Sequence, residues 1–141
     1  MNYTYEIIEN LYLGPISVIY AKDRIKFDVI VNCTKDTYSH DADHYYEVPV
    51  NDTDRPENID LFVEHANKIL PDVVAHYRDR KKIFVHCSQG VQRSAAFVAI
   101  LLVRLRDMSL QDAIEYIVLK KPNCFSHGRQ VNFMEALNRL V

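Results

Sequence analysis

The chain has 141 residues, 48% of them hydrophobic and 26% charged, with a formal net charge of −2 at pH 7. Residues 1–141 are therefore expected to form one globular domain with one core, neither disordered nor fibrous. The near-neutral balance gives no electrostatic case for nucleic-acid or membrane binding, Ala95 to Val103 is too short an apolar run to span a bilayer, and the first residues lack the basic and apolar stretches of a secretory leader.

In chain order, Tyr5–Ile8 and Leu11–Leu13 read as short strands, and Ser17–Asp23 as a helical turn. Phe27–Asn32 is a β-branched run of the buried-strand type. Lys35–Asp43 is polar and reads as an exposed loop, with Tyr45–Val48 a further strand. From Asp54 to Tyr77 the apolar positions Ile59, Phe62, Val63, Ala66, Ile69 and Leu70 fall at helical spacing. Pro56 lies near the start of this helix, Asp54 is the expected cap, and Pro71 is expected to kink it. Lys82–Val85 is the last strand. Helices are expected over Ser94–Arg106, Leu110–Lys120 with Ser109 as cap, and Gln130–Leu140. Strands alternating with helices predict an α/β fold: a mostly parallel sheet of about five strands with helices on both faces. Ligands in such folds gather at the carboxyl ends of strands.

The residues that carry chemistry stand at one such end. The apolar run Ile83–Val85 leads into His86-Cys87-Ser88-Gln89-Gly90-Val91-Gln92-Arg93-Ser94, and a helical pattern follows at once. A strand that delivers a thiol into a tight loop capped by a helix N-terminus is suited to holding a dianion, because loop N–H groups and the helix dipole converge there. That field also favours the thiolate, the nucleophilic form of cysteine. A buried structural cysteine is the bland alternative for Cys87, but the strand before it, Gly90 and Arg93 argue for a nucleophile. Gly90 allows a positive φ or a close approach of backbone to phosphate. Ser88, Gln89, Val91 and Gln92 contribute mainly their N–H groups. Arg93 offers a planar fork for two phosphate oxygens, and a cation at a helix start is unfavourable unless an anion sits nearby. Displacing an alkoxide or phenoxide also needs a proton donor. Asp52 is the candidate, with Asp54 its rival.

His-Cys-x-x-Gly-x-x-Arg-Ser resembles the signature of the protein tyrosine phosphatase superfamily, and the chain's size resembles its small, atypical dual-specificity members. Ile8-Glu9-Asn10-Leu11-Tyr12-Leu13-Gly14 looks like that family's opening strands, and Val50-Asn51-Asp52-Thr53 like its general-acid loop. The resemblance implies a phosphatase acting on phosphotyrosine and phosphoserine or phosphothreonine in proteins, through a phosphocysteine on Cys87. It assigns Arg93 to phosphate, Asp52 to acid and base steps, the Ser94 hydroxyl to the cysteine sulfur, and His86 to holding the loop. It also implies that Gln130 or Asn132 braces the loop from the last helix, and that Cys33, ending a neighbouring strand, can form a reversible disulfide with Cys87. A small residue filling the core is the other reading of Cys33, and Cys124 shows no comparable placement.

Three cysteines without paired spacing argue against a disulfide framework or a zinc site, and the histidines are scattered. No metal or cofactor is expected. A reducing, intracellular setting is expected instead, cytoplasmic or nuclear, with phosphoproteins as partners and the oligomeric state open. An RNA 5′-triphosphatase is a competing reading, weakened by Gln89 and Gln92 in the loop and by the lack of basic surplus. A phosphoprotein-binding module is another, weakened because both Cys87 and Arg93 are present. Tyr38, in the Lys35–His44 loop, is a candidate wall of a shallow pocket.

Overall fold

The computed structural model describes residues 4–141. Five strands, β1 (Tyr5–Ile8), β2 (Leu11–Pro15), β3 (Val29–Asn32), β4 (His44–Glu47) and β5 (Ile83–Cys87), form one sheet in the order β1-β2-β5-β3-β4. Only β1 runs antiparallel to its neighbour. The expected α/β sheet is present, and β5 lies at its centre with every residue buried.

The two faces are covered unequally. Alternate residues of the central strands, Leu11, Leu13, Val29, Val31, Ile83 and Val85, pack into the larger core with α1 (Pro56–Arg78), α2 (Arg93–Arg106), α3 (Leu110–Lys120) and α4 (Met134–Leu140). Tyr12, Ile30 and Phe84 point to the opposite face, under a 3₁₀ turn at Ile16–Tyr20 and Phe27. There Phe27 stacks on Phe84 at 4.6 Å between ring centres.

Local differences from the sequence expectation have physical reasons. α1 continues through Pro71 to Arg78, because the buried stripe Ile59, Phe62, Ala66, Ile69, Leu70, Val73 and Val74 holds the helix on the sheet on both sides of the proline. Its N-cap is Arg55, not Asp54. Pro56 at the first helical position forces the residue before it into extended backbone, so the cap falls one place later than expected. The last helix begins at Met134 rather than Gln130. Between α3 and α4, Phe125, Ser126, His127 and Gly128 all carry φ of 53° to 81°, a left-handed turn with no forewarning in the residue pattern.

Candidate active site

β5 is hydrogen-bonded in parallel to β2 on one side and β3 on the other, so Cys87 emerges at the carboxyl end of the sheet's middle. The chain then turns through residues 88–92 into α2. Gly90 sits at φ +73°, where a Cβ would lie 2.6 Å from the Gly14 carbonyl carbon and 2.7 Å from its oxygen. Both glycine properties are used at once: the left-handed backbone and the close approach to β2. The turn brings the Gly90 N–H to 3.2 Å from Cys87 Sγ, and the Ser94 hydroxyl donates to the same sulfur at 3.1 Å. Ser94 is buried and makes no side-chain cap to α2.

The carbonyls of this loop are held from behind. Ser88 O accepts from Ile16 N at 3.3 Å, Val91 O from Phe125 N at 2.9 Å, and Gly90 O from the Cys124 thiol at 3.6 Å. A trans peptide plane points its N–H opposite to its C=O. Anchoring those three carbonyls outward therefore turns the N–H groups of Gln89, Val91 and Gln92 inward, toward the mouth. A ring of inward N–H groups over a sulfur at a helix N-terminus is an anion cradle. Cys124 and the left-handed turn that follows it, invisible in the sequence, supply two of the three anchors.

Arg93 is the first residue of α2. Its guanidinium donates through Nη1 to Val50 O at 2.9 Å and through Nη2 to Ser88 Oγ at 3.1 Å, while Nε is buried without a partner among the described residues. The fork thus ties the loop to the β4–α1 connection and keeps one strong donor uncommitted.

His86 is fully buried. Burial, with the Arg93 charge adding to it, pulls its imidazole down to about 4 against the opposing pull of its hydrogen bond to Cys87. The ring is therefore neutral near pH 7, and its tautomer follows from its partners. Nδ1 faces the Cys87 carbonyl at 3.4 Å, which can only accept, so Nδ1 carries the proton and Nε2 accepts from the Tyr38 hydroxyl. Tyr38 is brought there by a loop organised on the buried Asn32, whose amide receives Thr34 N and Thr34 Oγ1 and donates to Asp36 O and Tyr45 Oη. Tyr38 is thereby the partner of the histidine behind the nucleophile candidate.

Asp52 lies in the exposed β4–α1 connection. Asn58 braces that loop by accepting from Asn51 N at 3.2 Å and donating to Thr53 Oγ1 at 2.7 Å. The Asp52 carboxylate accepts a 2.9 Å bond from Asn132 Nδ2. Gln92, at the end of the cradle, donates to Gln130 O and accepts from Asn132 N, so the segment before α4 does brace the loop, through its backbone. Asp54 does not make the expected cap.

All three cysteines are buried free thiols. Cys33 follows β3 and its N–H donates to His86 O at 2.8 Å, which sets it beside the end of β5; burial, then the neighbouring Cys87, pushes its thiol well up. Cys124 was given no role by the sequence, yet it anchors Gly90, and burial pushes its thiol up to about 12. Lys121 is also buried beside these sulfurs, with Nζ on Asn123 Oδ1 at 2.9 Å and over the Tyr5 ring. Nothing in residue spacing announces either contact. Among the described residues no cluster of three or more His, Cys, Asp or Glu could hold a metal ion, and no helix is long and apolar enough to cross a membrane.

Residues 11–140 match the dual specificity phosphatase catalytic-domain family. The chain belongs to that family and is a protein phosphatase domain. Protein 123R of Invertebrate iridescent virus 6, named as a tyrosine phosphatase, is 31% identical over 125 residues, covering 87% of this chain and 83% of its own. Human dual specificity protein phosphatase 4 is 30% identical over 139 residues, which span 91% of this chain but only 34% of that larger protein. The crystal structure of human DUSP28 superposes with a TM-score of 0.80 at 21% identity, covering 97% of this chain and 91% of the other, a likeness of fold.

Proposed function

We propose that this phosphatase hydrolyses phosphotyrosine and phosphoserine or phosphothreonine in proteins through a phosphocysteine on Cys87. The observation that carries the reading is the pair of donors on Cys87 Sγ, from Gly90 N–H and Ser94 Oγ, at the floor of a loop whose N–H groups turn inward. A phosphoryl dianion seated on those N–H groups and on the free Arg93 Nε–H presents its phosphorus to the sulfur. As the S–P bond forms, the bond from phosphorus to the substrate oxygen breaks, and Asp52 gives that oxygen its proton. Water then attacks phosphorus, its proton passes to the Asp52 carboxylate, and the S–P bond breaks. Ser94 stabilises the departing thiolate with its 3.1 Å hydrogen bond. Neutral His86 takes no proton in this scheme; it holds the Cys87 carbonyl and orients the loop. A reducing compartment suits a nucleophile of this kind.

The loop that carries Asp52 is exposed, in keeping with a shallow site open to aliphatic as well as aromatic phosphate esters. Kinetics on a phosphopeptide panel test this directly. Turnover of both phosphotyrosine and phosphothreonine peptides, abolished by Cys87→Ser, is expected. Activity confined to one residue type would remove the dual specificity, and activity surviving in Cys87→Ser would remove the nucleophile.

A further inference from the structure

The general-acid candidate does not stand alone on its loop. Its Oδ1 is held by Asn132 Nδ2 at 2.9 Å, across 80 residues of sequence. The Asn132 amide cannot turn freely, because its own Oδ1 accepts from Gln130 Nε2 at 2.9 Å. Nor can the backbone beneath it drift: Asn132 N donates to Gln92 Oε1 at 3.0 Å, and Gln92 Nε2 donates to Gln130 O at 2.9 Å. Gln92 is 5% exposed, immediately precedes Arg93, and spends both ends of its amide on this short segment. A continuous path of hydrogen bonds therefore runs from the phosphate cradle, through Gln92 and the 130–132 strap, to the carboxylate of Asp52.

We infer that Asn132 is a positioning residue for Asp52, and that through Gln92 it sets the acid in register with the phosphate cradle. The inference rests on the reading of Asp52 as the general acid. An exposed aspartate on a loop samples several rotamers, and each one adds distance between its proton and the leaving oxygen. The bond from Asn132 selects one rotamer and occupies Oδ1, so Oδ2 is the oxygen that carries the transferable proton. Because the strap and the cradle share Gln92, a shift of the loop moves acid and phosphate together. Asn132 touches neither phosphorus nor leaving group; its effect passes wholly through Asp52.

A residue that acts only through the acid should matter only where the acid matters. The test is kcat/KM, which reports the steps through formation of phosphocysteine, for phenyl phosphate and nitrophenyl phosphate. The two have nearly the same shape but very different leaving groups. Asn132→Ala is expected to lower kcat/KM on phenyl phosphate by up to roughly tenfold, about the worth of one hydrogen bond to the neutral acid, and to change nitrophenyl phosphate less than about twofold. Asn132→Leu, near in volume but unable to donate, should reproduce this. Asn132→Gln, which keeps the amide, should recover part of the loss. In an Asp52→Asn background, Asn132→Ala should cost nothing further, since coupled residues are non-additive. Asn132 is half-exposed, so the thermal midpoint should stay within about 3 °C of wild type.

Equal losses on both esters, or a full additional loss in the Asp52→Asn background, would overturn the inference and leave Asn132 as a brace of the fold. The two readings fail separately. If Asp52→Asn discriminates between the esters and Asn132→Ala does not, the acid stands and the positioning role is lost. If Asp52→Asn itself shows no dependence on the leaving group, the acid assignment fails and the positioning role fails with it.

Discussion

Replacing Gly90 by alanine adds one methyl at the point where the cradle presses on β2. The new Cβ would lie 2.6 Å from the Gly14 carbonyl carbon, 2.7 Å from its oxygen and 3.0 Å from Pro15 N, all of them backbone atoms that no side-chain rotation can clear. The φ of +73° adds the left-handed cost of an L-residue. That cost is about 1 kcal/mol, and overpacking adds about 1–3 kcal/mol, so a loss of roughly 2–4 kcal/mol in unfolding free energy is expected. Gly128 supplies the control. It has nearly the same φ, +81°, but its Cβ would meet only Val118 methyls at 3.6 and 3.8 Å. Gly128→Ala should therefore cost only the backbone share, about 1 kcal/mol. Relieving the clash at Gly90 means moving the loop outward, which stretches the 3.2 Å bond from Gly90 N–H to Cys87 Sγ. Losing one hydrogen bond to a charged group predicts a fall of about 10- to 100-fold in kcat/KM. Urea unfolding and aryl phosphate kinetics of both variants decide the matter. Equal destabilisation of the two, or full activity in Gly90→Ala, would refute the argument from close approach.

Two further outcomes follow from the same geometry. His86 binds its proton with a folded value of about 4 against an ordinary 6.5, so the unfolded chain binds more protons between those values and stability falls as pH drops through that window. Wild type should lose about 2–3 kcal/mol between pH 7 and pH 4.5 from this group, measured by urea unfolding, and His86→Gln should show a correspondingly shallower slope; equal slopes would contradict it. Ser94→Ala removes the 3.1 Å donor to Cys87 Sγ but leaves the cradle N–H groups in place. Pre-steady-state burst kinetics with an activated aryl phosphate should show phosphocysteine accumulating, with turnover slowed about tenfold or more; a variant without a burst would leave Ser94 no part in thiolate departure.

Much of this architecture is legible in the residues because it is local. Ile83–Val85 before Cys87 and a helical run after Arg93 specify a strand–loop–helix, and Gly90 marks the one position where its turn needs a left-handed backbone. The stripe from Ile59 to Leu70 announces α1, which runs on past Pro71 to Arg78. What escapes sequence reading is what depends on distant chain segments. Cys124 and Phe125 anchor the loop carbonyls at the start of a left-handed turn that the spacing of Phe125-Ser126-His127-Gly128 does not suggest. The helix-forming run from Met134 hides the strap before it, which stays irregular because Gln92 claims its backbone groups. Asp54 looks like a cap by residue type, but the backbone restriction that Pro56 imposes on the residue before it moves the cap to Arg55.

The covalent step carries the whole account, and it can be seen directly. A radiolabelled phosphopeptide mixed with the enzyme, quenched in acid within the first turnover and digested for mass spectrometry, should yield one labelled peptide, with the phosphoryl group on Cys87. Labelling of His86 or another side chain, or full turnover with no labelled protein at any time, would contradict it.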